Sequence, residues 1–167
     1  CSHIVLPGVG AFRDAVANLQ KSGLVDCLTE NVQRGKPLLG ICLGMQLLFT
    51  KSYEDGVYDG LDFIQGEIVP FQLQDAEKKV PHMGWNELVC HRENPICRGV
   101  VEGEQVYFVH SYYAQMANDA DLIYSAEYEI DVPAVVNHGN VYGMQFHPEK
   151  SSQTGEQLLK NFVELIK

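Results

Sequence analysis

Five cysteines and six histidines are the residues of this 167-residue chain best suited to covalent chemistry. One cysteine stands in a setting that invites it. Gly40-Ile41-Cys42-Leu43-Gly44 closes the apolar run Leu38–Cys42 and opens a helical pattern. G-x-C-x-G is the thiol version of the nucleophile elbow, in which a tight strand-to-helix turn lifts the nucleophile out of a sheet. Glycines on either side avoid the clash that a Cβ would bring there. A free thiol is only about 3% thiolate at neutral pH, so a helix N-terminus behind Cys42 is expected to lower its pKa. The competing reading is a small buried hydrophobe, the common fate of a free cysteine. Cys1, Cys27, Cys90 and Cys97 lack the elbow setting and read as structural.

A thiol nucleophile needs a base, and the base needs a group to orient it. His147 ends the apolar strand 141–146 and is followed by Pro148-Glu149. Residues i and i+2 of an extended segment share a side, so the Glu149 carboxylate can hold the His147 ring. Strands of parallel α/β sheets gather catalytic groups at their carboxyl ends, where Cys42 and His147 are both expected. A strand-end histidine beside a solvated charge is the plainer alternative.

The elements that would position these groups follow from hydrophobic spacing. A buried strand is expected at 3–6, and a helix through Phe12, Val16 and Leu19 with a stop at Lys21-Ser22-Gly23. A second helix is expected over 24–34 with Leu24, Leu28 and Val32 inward. The run 38–42 is too short for a helix and reads as a buried parallel strand. Residues 44–50 read as helix through Met45, Leu48 and Phe49, and 51–60 as loop. Val-, Ile-, Tyr- and Phe-rich segments at 62–71, 86–90, 105–110, 122–128, 134–137 and 141–146 read as strands and hairpins. Thr154 with Gln157 fits a capping box ahead of a helix burying Leu158, Leu159, Phe162, Val163 and Ile166. The expected architecture is α/β, with a β-rich middle and a closing helix.

Composition narrows the function classes. Hydrophobic residues make up 46% and charged residues 20%, a globular balance. The net charge of −10 disfavours nucleic-acid backbones and anionic membranes as partners. No apolar run reaches the ~18 residues of a membrane span. The odd cysteine count without a CxxC pair argues against a disulfide framework and a zinc site, and suggests a reducing, cytoplasmic setting.

The quoted motifs, Gly40 to Gln46 and Phe146 to Glu149, resemble the class I, Cys-His-Glu glutamine amidotransferases. Leu6-Pro7-Gly8-Val9-Gly10-Ala11-Phe12, Pro81-His82-Met83-Gly84-Trp85-Asn86, Tyr107-Phe108-Val109-His110-Ser111-Tyr112 and His147-Pro148-Glu149-Lys150-Ser151 are similar to the glutaminase subunits of imidazole glycerol phosphate synthase. The resemblance implies a flavodoxin-like, mostly parallel sheet flanked by helices, with an added antiparallel β-rich segment. It implies hydrolysis of glutamine to glutamate and ammonia, without cofactor or metal, by Cys42, His147 and Glu149. Leu43 and the Gly8-Val9-Gly10 strand would supply oxyanion donors, the latter reorienting when the partner site fills. Gln46, Glu54, Gly44 and the backbone of His110, Ser111 and Tyr112 would contact glutamine, with His82 and His110 orienting loops. The implied partner is a (β/α)₈-barrel cyclase. It would form a heterodimer through Met83, Trp85, Asn86 and Lys150, and take ammonia through its core in histidine biosynthesis. There ammonia joins a phosphoribulosyl aminoimidazole carboxamide nucleotide, giving imidazole glycerol phosphate and an aminoimidazole carboxamide ribotide.

Three alternatives stay open: another class I amidotransferase serving pyridoxal phosphate, anthranilate or GMP synthesis, a cysteine hydrolase of the PfpI type, and a non-catalytic binding subunit. The HMGWN and HPEKS segments, Glu149 and the intact triad respectively speak against them. Residues 1–167 read as one amidotransferase domain. Members of the family normally begin with a strand–helix–strand unit ahead of the PGVG strand. The domain is therefore expected to be N-terminally truncated by ~30 or more residues. If the polypeptide itself begins at Cys1, poor solubility and weak activity are expected.

Overall fold

The computed structural model describes residues 1–167. In chain order the elements are β1 (Ile4–Gly8), α1 (Phe12–Lys21), α2 (Leu24–Gln33), β2 (Leu38–Cys42), α3 (Leu43–Leu47), β3 (Phe49–Ser52), β4 (Tyr58–Asp59), β5 (Ile64–Pro70), β6 (His82–Glu87), β7 (Val89–Cys90), β8 (Gln105–His110), β9 (Tyr112–Met116), β10 (Leu122–Glu127), β11 (Asp131–His138), β12 (Val141–Met144) and α4 (Ser152–Leu165).

A six-stranded sheet runs β1-β2-β12-β11-β10-β7. It is parallel from β1 through β2 to β12 and antiparallel beyond. The functional motifs lie on its parallel side. Gly8 pairs with Cys42 and Met144 with Ile41, so the β1, β2 and β12 ends come out level. A four-stranded sheet, β4-β3-β5-β9, and the hairpin β6-β8 complete the fold.

Strand alternation sends neighbouring side chains into two different cores. Leu39, Val135 and Tyr142 join one with Phe108, Phe146, Leu158 and Phe162. Leu38, Val136 and Val141 join the other with Met45, Phe49, Ile64 and Ile68. Because both faces of the large sheet are covered, β2 reads as a continuous apolar run. Helix α4 is tied down by Asn161, whose amide donates to the Ile96 and Arg98 carbonyls at 2.8 and 2.7 Å. No helix is long and apolar enough to cross a membrane. All five thiols are free.

Several expectations need correction. Helix α3 has five residues, because Leu48 turns the chain and Phe49 pairs with Ile64 as a strand. The expected loop 51–60 contains the rest of β3 and all of β4. Strand β9 and the first four residues of β6 lie outside the expected strands. Thr154 sits inside α4 and donates to Glu104 Oε2 at 2.5 Å instead of capping the helix. Leu24 and Val163 are exposed.

Candidate active site

Cys42 is the residue at which β2 becomes α3, and its backbone is strained, with φ 53° and ψ −113°. Sparse conformations of this kind cost about 1–3 kcal/mol and persist only where the surroundings enforce them. Here the enforcement comes from packing. A Cβ at Gly40 would lie 2.5 Å from the Gly44 carbonyl oxygen, and one at Gly44 would lie 1.7 Å from the Leu6 carbonyl oxygen. Strand β1 therefore presses directly on the turn. Gly44 serves this close approach and is absent from the pocket wall, contrary to its expected substrate contact.

Cys42 is nonetheless buried, and burial pushes its thiol pKa up. The Leu43 N–H pulls it down, Glu149 pushes it up and Lys150 pulls it down, each less strongly than burial pushes it up. The expected lowering by a helix N-terminus is thus reversed. A five-residue helix offers too little dipole to outweigh desolvation.

His147 follows β12 and opens a 3₁₀ turn, Pro148–Lys150. Its Nδ1 lies 2.9 Å from Glu149 Oε1. The contact was expected across an extended segment, but the turn makes it instead. With Nδ1–H donated to the carboxylate, Nε2 is the nitrogen left for chemistry. The ring's position is fixed from behind: the His147 N–H donates to Tyr107 O at 2.9 Å, and Ser151 Oγ donates to His147 O at 2.6 Å. Ser151 also accepts the Tyr107 N–H at 3.0 Å, which locks β8 to the turn. Glu149 itself is 57% exposed at its side chain.

Cys42 and His147 line one cavity of about 340 Å³ together with Val9, Gly10, Leu43, Gln46, Glu54 and the segment 109–112. The loops after β1 and β3, the end of β2, α3, β8, β9 and the segment after β12 thus converge there. Gly8 does not reach this cavity. It lines an adjoining one, and a Cβ on it would stand 3.3 Å from the Gly44 nitrogen. Val9 is 80% exposed, and Gly10 has φ +99°, a conformation suited to glycine.

The polar floor is more committed than the sequence suggested. Gln46 Nε2 donates both hydrogens, to Tyr112 O at 3.1 Å and to Gln145 Oε1 at 3.0 Å. Its Oε1 is the group left free. His110 Nδ1 donates to the same Tyr112 carbonyl at 2.7 Å. That oxygen is therefore saturated, and the segment 110–112 has its other groups to offer a ligand. His110 Nε2 lies 2.9 Å from His82 Nδ1, and His82 Nε2 lies 2.7 Å from Asn86 Oδ1. Burial lowers both imidazole pKa values, that of His110 to about 3. Glu54 accepts the Phe12 N–H at 3.2 Å, the first of α1, and burial raises its pKa.

The expected partner-surface residues divide. Met83 and Trp85 are 59% and 48% exposed on the outer side of β6, and Lys150 is exposed. Asn86 points inward, donating from Nδ2 to Glu127 O at 3.1 Å. Gln145 was missed altogether. It is fully buried beside Cys42, and only its place two residues before His147 marked it in the sequence.

Comparison with known proteins gives the chain its family. The family profile "Glutamine amidotransferase class-I" matches residues 2–165. The "Imidazole glycerol phosphate synthase subunit HisH" of Geobacillus thermodenitrificans is 51% identical over 166 residues, covering 98% of this chain and 78% of the relative. The protein of that name from Carboxydothermus hydrogenoformans is 53% identical over 163 residues, covering 98% and 80%. Among solved structures, a glutamine amidotransferase superposes with a TM-score of 0.73 at 18% identity, covering 99% of this chain and 79% of that one. PurLQS from Thermotoga maritima superposes with a TM-score of 0.70 at 18% identity, covering 99% and 80%. A likeness at that identity speaks to the fold, whereas the family match and the two sequence relatives speak to kinship: the chain belongs to the class-I glutamine amidotransferases, in the HisH family.

Proposed function

We propose that this chain is the glutaminase subunit of an imidazole glycerol phosphate synthase, hydrolysing glutamine and passing ammonia to a cyclase partner. The observation that carries the reading is a cysteine on a glycine-flanked, strained turn, sharing a cavity with a carboxylate-oriented histidine. Cys42 loses its proton to His147 Nε2, and the thiolate attacks the carboxamide carbon of glutamine. The developing oxyanion takes the Leu43 N–H, with a second donor from the Gly8-Val9-Gly10 strand. The tetrahedral intermediate collapses, His147 returns the proton to the leaving nitrogen, and ammonia departs. Water, deprotonated by His147, then cleaves the glutamyl thioester and releases glutamate.

Recognition uses what the floor leaves unspent. Gln46 offers Oε1 as an acceptor, and the half-buried Glu54 carboxylate suits the α-ammonium group of the substrate. Ammonium ion is not a nucleophile, so ammonia must reach the acceptor through a path that excludes water. Exposed Met83, Trp85 and Lys150 suit a protein partner, since aromatic anchors dominate interface energetics.

Glutamate release measured with and without the cyclase and its nucleotide ligand tests the reading. Low activity alone and strong stimulation by both are expected. Full glutamate release by Cys42→Ala would overturn the mechanism.

A further inference from the structure

We propose that Gln145 is a positioning residue for the Cys42 thiolate, its side-chain N–H aimed at the sulfur by a chain of hydrogen bonds that starts at the Tyr112 carbonyl. The proposal rests on Cys42 being the nucleophile of the reaction described above.

The polarity of the chain is forced by its first member. The Tyr112 carbonyl can only accept, so the Gln46 atom 3.1 Å from it is the nitrogen. That nitrogen stands 3.0 Å from the Gln145 amide, whose facing atom must then be Oε1. Gln145 Nε2 is consequently turned toward Cys42, with the sulfur 4.0 Å away. Swapping either amide would set two donors or two acceptors against each other.

Burial makes this placement consequential. Gln145 has no exposed surface, and it is flanked by the fully buried Met144 and Phe146. Its backbone is pinned by the bond from Gln145 N–H to Ala134 O at 3.0 Å. The only partner of Nε2 is the Cys42 sulfur. A buried amide donor without an acceptor is costly, and a thiolate is a far better acceptor than a thiol. The 4.0 Å separation is long for a neutral thiol and leaves room to shorten as charge develops. The other influences on the sulfur are the Leu43 N–H and Lys150, which favour the thiolate, and burial and Glu149, which oppose it. Gln145 joins the Leu43 N–H as a second neutral donor, reaching the sulfur from just after β12 where Leu43 reaches it from the turn.

The test is the pH dependence of Cys42 alkylation by iodoacetamide in the full chain. It is read at the Cys42 peptide by mass spectrometry, because Cys1, Cys27 and Cys90 are also exposed to reagent. Iodoacetamide needs no glutamine, so the curve tests Gln145 even in a preparation without glutaminase activity. Gln145→Met, which keeps the shape and removes the donor, is expected to raise the midpoint by about one pH unit, roughly tenfold less thiolate at neutral pH. Gln145→Glu is expected to raise it further by placing a carboxylate against the sulfur. An unchanged midpoint in folded Gln145→Met overturns the proposal and leaves Gln145 a filler of the core. Where the variants fail to fold, the unaltered chain decides: the Gln145 side-chain amide resonance should move as Cys42 ionises and stay still in Cys42→Ala. An amide resonance indifferent to that ionisation overturns it as well.

Discussion

Cys42 carries two burdens, a left-handed backbone and a desolvated thiol, and each predicts a result. The strain belongs to the L-side chain at φ 53°, so glycine at this position relieves it. Cys42→Gly should abolish glutamate release while raising stability by up to about 1 kcal/mol, read as the midpoint of chemical denaturation. A loss of stability would mean that packing of the side chain outweighs the strain. Glu149 presents the opposite case. Its carboxylate holds His147 Nδ1 but stands largely in water, where an ion pair contributes little. Glu149→Gln should lower kcat by about 10- to 100-fold with little change in KM, because it orients the base and does not touch glutamine. Steady-state kinetics with glutamine checks this split.

At the scale of elements, the turn depends on strand β1 lying against α3. Gly44→Ala would drive a Cβ to 1.7 Å from the Leu6 carbonyl oxygen, a backbone atom of a paired strand. Strand and turn must part, and the expected cost is about 3 kcal/mol or more, seen as a large drop in melting temperature. The hairpin β6-β8 makes a pH prediction. His82 and His110 have lowered imidazole pKa values because they are buried, whereas in the unfolded chain they titrate near 6.5. Below 6.5 the unfolded state binds more protons, so stability is full above that pH and falls as pH falls toward about 3. A His110→Asn variant should lose less stability than the parent between pH 6.5 and 5, above the range of most carboxylates. Equal slopes would show that the pair does not titrate as its burial requires.

How far the sequence reached also sorts by element. The elbow and the His147–Glu149 pair were legible because each is made by residues within a few positions of one another. Strand β9 was not, since Tyr112 to Met116 mixes an alanine and a glutamine into an irregular pattern. Helix α3 was read too long because apolar residues continue through Leu48 and Phe49, and only the pairing with β5 makes Phe49 a strand residue. The raised thiol pKa and the role of Gln145 both come from burial by segments about a hundred residues away, which no local pattern records.

At the scale of the whole molecule, β6 ties the cavity to the outer surface. Its inward residues, His82 and Asn86, extend the polar floor, while Met83 and Trp85 face out. Trp85→Ala should weaken cyclase binding by about 2 kcal/mol or more, a roughly 30-fold rise in Kd by calorimetry, if Trp85 is an interface anchor. Unaltered affinity would move the docking surface elsewhere. The hydrogen-bonded floor runs from Cys42 through Gln145, Gln46 and Tyr112 to His110 and His82. It looks like a wire, yet it cannot conduct. The Tyr112 carbonyl receives hydrogen bonds from both sides and has no hydrogen of its own to hand on, so a proton hopping from either direction stops there. Movement of β6 can reach the sulfur only as displacement, and the floor offers the proton that leaves Cys42 no way out.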